Sequence, residues 1–494
     1  MSALFMNIIK RPVHQFKLVL MLIIIPVLVY AGASQDLPDF ADSAGAVISP
    51  EHERRLGQIF LKQVRYFAKI ENDPEVESYI QSIGYQLASH SDNTVQPFQF
   101  FVLKDGAINA FAGPGGMIGV NSGVILNSAN ESELAAVMAH EIAHVTQRHL
   151  ARMIEEHKKY SVPTAAAMVG AILLSIVNPQ AGSAALTGVS GLSVQNQINF
   201  TRANEEEADR IGMQLLVRAG HDPYAMPSFF EKLQQVTRYQ QSGASEYFRT
   251  HPLTTSRIAD TRARADEYPK KEYDNSLSYE LVKNKLLASS FKNARDAVAV
   301  LNQKLNDSTL TDKDKMPVRY GLAYAHININ EYVNAQIQIN NLLNFDPDNV
   351  SYLLLSANNY VEQKDYDKAI SVYEKAYRLY PDFKPVLVGY ARALLDIKQA
   401  KKARELLKDY ERYYRHGLNT YTLLGQAEAM LGNEIETAII QADYYFLAGE
   451  TKLAIDKLKF IKQQYSLDYY QEERVKARMK ELEYELNIEE SIDI

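Results

Sequence analysis

The 494-residue sequence contains no cysteine and no tryptophan. Without cysteine there is no disulfide, no thiolate nucleophile and no Cys-ligated zinc or iron–sulfur site. Any metal must therefore be held by His, Asp or Glu. A long basic run is also missing: 53 Lys and Arg stand against 60 Asp and Glu, a formal charge of −7, which argues against nucleic acid as a partner. Two apolar runs, Leu18 to Val29 and Pro163 to Val177, both fall short of the ~20 residues that span a bilayer. What remains is ordinary globular material, 46% hydrophobic and 23% charged. At roughly 100–200 residues per domain, the length predicts two or three units.

The N-terminus has the three-part layout of a secretory signal peptide over residues 1–33. Lys10, Arg11 and Lys17 form the positive start, Leu18 to Val29 the apolar stretch, and Ala31-Gly32-Ala33 an A-x-A site. Cleavage near Ala33 exports the chain and changes its charge from −7 to −10, because no acid is removed with the three bases. An uncleaved anchor is the competing reading. A lipoprotein anchor is excluded, since no cysteine follows the run.

The rest changes character near residue 270. Residues 45–267 mix helical and strand-like patterns and predict an α+β domain, mostly helical with a small sheet. Helical periodicity over Pro50 to Leu87 breaks at Asp73-Pro74. Phe98 to Leu103 and Met117 to Ile125 read as strands, joined through the turn-rich Gly113-Pro114-Gly115-Gly116. Glu131 to Glu156 reads as one long helix capped by Asn130 or Ser132. Residues 268–276 are polar and turn-rich, and predict a linker.

Over 277–486 the pattern is helical and repetitive. Ala323, Ala357 and Ala391 are 34 apart, as are Ala335, Ala369 and Ala403, and Pro347 and Pro381. That period, with small residues where paired helices touch, is the tetratricopeptide signature of an all-α solenoid. Leu277 to Asn306 reads as a degenerate first repeat, Ala442 to Ala454 as a further copy, and Tyr421 to Gly432 as an odd helix. Such arrays form protein-binding surfaces, so this half is expected to bind partners and not to catalyse.

The chemistry lies at His140-Glu141-Ile142-Ala143-His144. On a helix, residues four apart share a face, so both imidazoles can reach one ion, with Glu141 placed to accept a proton from water. His149 is expected on another face, as a surface or packing histidine. For a third ligand the best candidate is Glu205 in Asn204-Glu205-Glu206-Glu207-Ala208-Asp209. Asp209 follows it by four and can hydrogen-bond a ligand imidazole. Glu206 and Glu207 lack an acid at that step.

The elements Asn109-Ala110-Phe111, Gly115-Gly116, the His140–His144 motif, Asn204-Glu205-x-x-Ala208-Asp209 and His251-Pro252 together resemble the gluzincin peptidases that include the CAAX prenyl proteases. The membrane-embedded members have several spanning helices that this chain lacks, so prenyl-protein processing is not expected. An export signal, a peptidase and a tetratricopeptide tail resemble more closely the periplasmic members of Gram-negative bacteria that act in outer-membrane β-barrel assembly. That resemblance implies one Zn2+ per chain on His140, His144 and Glu205, with Glu141 as general base and Asp209 behind the ligands. It implies an endopeptidase with a chaperone-like role, acting on misfolded or stalled outer-membrane proteins, its repeats docking on the β-barrel assembly machinery. The alternative is a mainly latent peptidase that serves as chaperone or scaffold.

Two features stay open in the sequence. His251 either packs or caps the following helix, stabilises an oxyanion as a catalytic residue, or closes the zinc site as a fourth ligand. Residues 163–192 form either a buried hairpin, a lid over the metal helices, or a peripheral membrane contact.

Overall fold

The computed structural model describes residues 49–91, 97–158, 194–239, 247, 251–412, 414 and 417–492. The expected signal peptide and the apolar stretch 163–192 lie outside them. Helices α1 (Pro50–Phe67) and α2 (Pro74–Ala88) are separated where Asp73 breaks the pattern. Its carboxylate accepts the N–H groups of Glu75 and Val76, and Pro74 sits at the helix start, where its missing N–H removes no bond.

Three strands follow: β1 (Gln99–Leu103), β2 (Ala110–Ala112) and β3 (Met117–Asn121). Their order is β1-β3-β2, with β3 central, parallel to β1 and antiparallel to β2. Gly115 and Gly116 turn the chain between β2 and β3 with φ of +66° and +76°. A β-carbon on Gly115 would also lie 2.9 Å from the Glu53 carbonyl, so the turn needs glycine twice over. The run expected to stay extended to Ile125 does not. Ser122 Oγ and the Gly123 N–H both donate to the Asp105 carbonyl, at 2.9 and 2.8 Å, and the chain curls into α3 (Ser122–Asn127). A short apolar run cannot declare this by periodicity.

Among the described residues, the remainder of this half is built from α4 (Glu131–Thr146), α5 (His149–Lys158), α6 (Val194–Arg218), α7 (Ala225–Tyr239) and α8 (Thr255–Ala265). The long helix expected from Glu131 to Glu156 is thus two, parted at Arg148, whose φ of +54° is left-handed. Ile80, Ile118, Leu134, Met138, Leu216 and Phe229 share one buried core from α2, β3, α4, α6 and α7. Each fully buried side chain of this size contributes about 1.5–3 kcal/mol. Where α4 crosses α6, Gly212 faces the backbone of His140. A β-carbon there would stand 3.1 Å from His140 N and Cα.

The repeats run as helical hairpins: α9 (Leu277–Ser290) with α10 (Ala294–Leu305), α11 (Asp312–Asn328) with α12 (Tyr332–Phe345), α13 (Val350–Glu362) with α14 (Tyr366–Leu379), and α15 (Lys384–Asp396) with α16 (Ala400–Glu411). The six alanines at the 34-residue step are fully buried, where a larger side chain would separate the helices. The turns keep the same step, with Asn330, Lys364 and Lys398 all at φ +61° and Gly432 at +76°. Gly432 shows that Tyr421 to Gly432 is no odd helix. It belongs to α17 (Leu418–Met430), which pairs with α18 (Glu434–Ala448) in register; α19 (Thr451–Gln464) and α20 (Tyr469–Ile492) close the array. The fold is therefore an α+β domain followed by an all-α solenoid.

The solenoid packs on the first half. Lys285 of α9 is buried, with Nζ 2.7 Å from Asp73 and 2.7 Å from Glu75. Tyr320 of α11 donates to Glu75 at 2.8 Å, and Lys384 of α15 reaches Glu77 at 2.7 Å. These are first helices of their hairpins, so the chain itself covers part of that face. The joining segment is also pinned: Ser276 N and Oγ, each at 2.7 Å, and Tyr79 OH, at 3.0 Å, donate to the Glu131 carboxylate. In return the Glu131 N–H donates to Asn275 at 2.8 Å.

Candidate metal centre

Helix α4 starts at Asn130, whose side chain accepts the Glu133 N–H at 2.9 Å. His140 and His144 lie in its last turns, on one face, with their Nε2 atoms 3.0 Å apart. Across the Gly212 contact α6 presents Glu205, whose oxygens lie 3.4 Å from each Nε2. His251 arrives on the segment ahead of α8. Its Nδ1 is 3.3 Å from His140 Nε2 and 3.1 Å from Glu205 Oε1.

One ligand atom from each of these four side chains lies within 4.8 Å of the others, and the contacts of His140 with His144, His251 and Glu205, and of Glu205 with His144 and His251, are 3.0–3.4 Å. Donors at ~2.0–2.1 Å around a tetrahedral zinc are roughly 3.3 Å apart. Three imidazoles and one carboxylate are also the ligand chemistry that zinc accepts without thiolate. The set fits the ion, and among the described residues no other group of three or more such side chains is gathered this way.

Glu141 is fully buried and stands outside the donor set, with Oε1 3.4 Å from His251 Nε2. Burial pushes its pKa up, and the histidine charges of His251 and His140 oppose that only in part. A carboxylate with raised proton affinity is what a general base needs. Asp209 stands behind the site, Oδ1 3.0 Å from His140 Nδ1. A carboxylate at that place favours a proton on His140 Nδ1 and leaves Nε2 on the side of His144 and Glu205.

The buried side chains shift one another's proton affinities. At His140 burial opposes the cation, but the bonds to Asp209 and Glu205 prevail and hold its pKa up at about 10. His144 goes the other way: burial, resisted by Glu205, pushes it down to about 3. Burial also works against the Glu205 carboxylate, yet His251, His140 and His144 hold its pKa well below the usual range.

Sequence reasoning brought together His140, Glu141, His144, Glu205, Asp209 and His251, and the structure places all six at one centre. It missed Arg257. That guanidinium grips Asp209 with two bonds of 2.6 and 2.7 Å, lies 2.8 Å from Glu205, and donates to the Pro252 carbonyl at 3.0 Å. One side chain thus ties both carboxylates to the segment bearing His251. A signal existed: Arg257 is in the first turn of α8, behind the cap Thr254, where the helix dipole disfavours a cation. Tyr247, whose buried ring stacks on His251 at 4.8 Å, carried no such signal. His149 was misplaced. It is buried, with Nδ1 2.8 Å from His144 Nδ1, because the left-handed Arg148 folds it back.

The profile of Peptidase family M48 matches residues 74–265, and a tetratricopeptide repeat profile matches residues 360–426. The chain is 37% identical over 454 residues, 92% of each sequence, to the beta-barrel assembly-enhancing protease of Escherichia coli. It is 36% identical over 448 residues, 90% of this chain and 92% of the relative, to the putative beta-barrel assembly-enhancing protease of Vibrio cholerae. To the mitochondrial metalloendopeptidase OMA1 of Saccharomyces cerevisiae it is 27% identical over 219 residues, 43% of this chain and 56% of the relative.

Proposed function

Because this chain belongs to the beta-barrel assembly-enhancing proteases, metalloendopeptidases with an M48 peptidase domain and tetratricopeptide repeats, we propose that it hydrolyses unfolded or stalled outer-membrane β-barrel proteins in the periplasm and assists their assembly. One observation carries the reading: three imidazoles and a carboxylate gathered within 4.8 Å of one another, with the buried Glu141 beside them.

In this reading His140, His144 and Glu205 hold one zinc ion per chain. Bound there, zinc supplies a Lewis acid that polarises a peptide carbonyl and acidifies water. Glu141 accepts the proton of the attacking water and returns it to the leaving amine. Asp209 and Arg257 keep His140 and Glu205 in place. The central strand β3 has both edges paired, so it cannot take a substrate strand. The edge strand β2 is the one packed against α4, and an extended chain adding there would lie beside Glu141. Backbone pairing favours unfolded substrates over particular side chains.

His251 favours a second, compatible reading. Its Nδ1 completes the donor set, so we propose that it closes the site at rest and leaves when substrate enters. Until then the protein acts chiefly as a chaperone or scaffold through its repeats, which dock on the assembly machinery. The signal-like pattern of the N-terminal sequence and the names of the relatives support export. Among the described residues no helix is long and apolar enough to cross a membrane.

The test is cleavage of a purified outer-membrane barrel protein, offered either urea-unfolded or folded in detergent, by the zinc-loaded enzyme. Only the unfolded form should be cut. Glu141→Gln should retain zinc and lose about 10²–10⁴-fold in rate. Equal cleavage of the folded barrel would refute the substrate class, and an active Glu141→Gln would refute the base.

A further inference from the structure

His140 and His144 are held from behind by different means. Behind His140 stands the carboxylate of Asp209; behind His144 stands another imidazole. His144 Nδ1 and His149 Nδ1 are 2.8 Å apart. The far nitrogen of His149, Nε2, lies 3.1 Å from Glu207 Oε2, and that same oxygen accepts from Arg152 at 2.7 Å.

With His144 Nε2 as the ligand atom and both rings neutral, the protons can be placed in one way. His144 Nε2 then carries no proton, so the proton of His144 is on Nδ1 and must be donated. His149 Nδ1 then accepts, which leaves the His149 proton on Nε2, pointing at a carboxylate. Every contact has one donor and one acceptor. The opposite tautomer of His149 would set two N–H groups against each other and two acceptors against each other.

We propose that His149 and Glu207 form an imidazole–carboxylate relay that fixes the tautomer and ring orientation of His144, so that His149 is a positioning residue of the metal centre. This rests on the reading of His144 as a ligand. The relay exists because of the backbone break described above. In an unbroken helix, position 149 would be about 140° around the axis from His144 at ~100° per residue. The left-handed Arg148 ends α4 and starts α5 so that His149 returns to the ligand. Arg148 is itself anchored 3.5 Å from the buried Glu53. Arg152, one turn along α5, then secures Glu207 from α6, so two helices are locked behind one ligand.

The test uses the full-length protein with His149→Leu, His149→Asn and Glu207→Ala, and His144→Ala as control. Zinc affinity is read by chelator competition, the visible spectrum of the cobalt(II)-substituted protein reports ligand geometry, and the melting temperature of the metal-free form reports packing. Losing such an outer partner weakens metal binding by about 10–100-fold. His149→Leu should show that loss with altered cobalt bands. His149→Asn, whose amide oxygen can accept near the Nδ1 position, should recover most of the affinity. Glu207→Ala, at a partly exposed site, should lose affinity in the same direction. Wild-type affinity and bands in His149→Leu, or equal loss in the Leu and Asn variants, would reduce His149 to packing. Wild-type affinity in Glu207→Ala would likewise overturn the relay. If His144→Ala keeps its zinc, the ligand assignment has failed and the relay fails with it.

Discussion

Gly212 lies so close to His140 that a β-carbon on it would stand 3.1 Å from the ligand residue's Cα and backbone N. The separation of α4 and α6, and with it the reach of Glu205 to both imidazoles, is set by a residue with no side chain.

Gly212→Ala should therefore disturb the site without touching a ligand. Crowding of this degree costs about 1–3 kcal/mol, and the shift moves Glu205 off the two Nε2 atoms. Melting temperature and zinc affinity measured together should both fall. A stabilised Gly212→Ala protein with unaltered affinity would show that the helices have room to spare.

The third ligand can be tested by neighbours in sequence. Glu205 is buried against the histidines, whereas Glu206 is exposed. Zinc content after dialysis should drop in Glu205→Gln and stay near one per chain in Glu206→Gln.

For His251 the direction of the change decides between roles. If its Nδ1 closes the site, His251→Ala should keep zinc and raise self-cleavage and degradation of bystander proteins. If it stabilises an oxyanion instead, the same change should lower the rate by about 10²–10³-fold, as for loss of one such donor. The assay is proteolysis by a zinc-replete variant.

The pH dependence follows from His140. An unfolded histidine titrates near ~6.5, and in the metal-free fold His140 is held up at about 10. The folded state thus binds the extra proton between those values, and this contribution to metal-free stability is present below ~6.5 and lost as pH rises toward about 10. Metal must displace the same proton, so zinc affinity should rise by nearly tenfold per pH unit over pH ~6.5–8. The gap in melting temperature between zinc-loaded and chelated protein should widen over the same range. A constant gap would mean that His140 is already neutral.

Much of the centre was legible because helical spacing is arithmetic. A step of four from His140 to His144, and again from Glu205 to Asp209, puts each pair on one face, and a step of 34 from alanine to alanine fixed the solenoid. What escaped depended on backbone turns that spacing assumes away. His149 was assigned to the wrong face because the helix was read straight through Arg148, a residue that rarely takes a left-handed conformation. Ser122 to Ile125 was read as strand because the carbonyl that curls it, that of Asp105, is distant in sequence. The register of α17 was hidden for a related reason: a glycine turn at Gly432 preserves the 34-residue step where the alanine pattern lapses. Arg257 could have been suspected from its position at a helix start.

Glu131 receives Ser276 and Tyr79 on one carboxylate while Asn275 accepts its backbone N–H. Lys285 and Lys384 meanwhile fasten the repeats to α2. The peptide running from Tyr268 to Asp274 is therefore a poor candidate for a tether. A cut there would leave two fragments still gripping each other at Glu131, Asp73, Glu75 and Glu77, much as separate gene products form a heterodimer. The repeats are better regarded as a permanent subunit of the protease that happens to be encoded in the same chain.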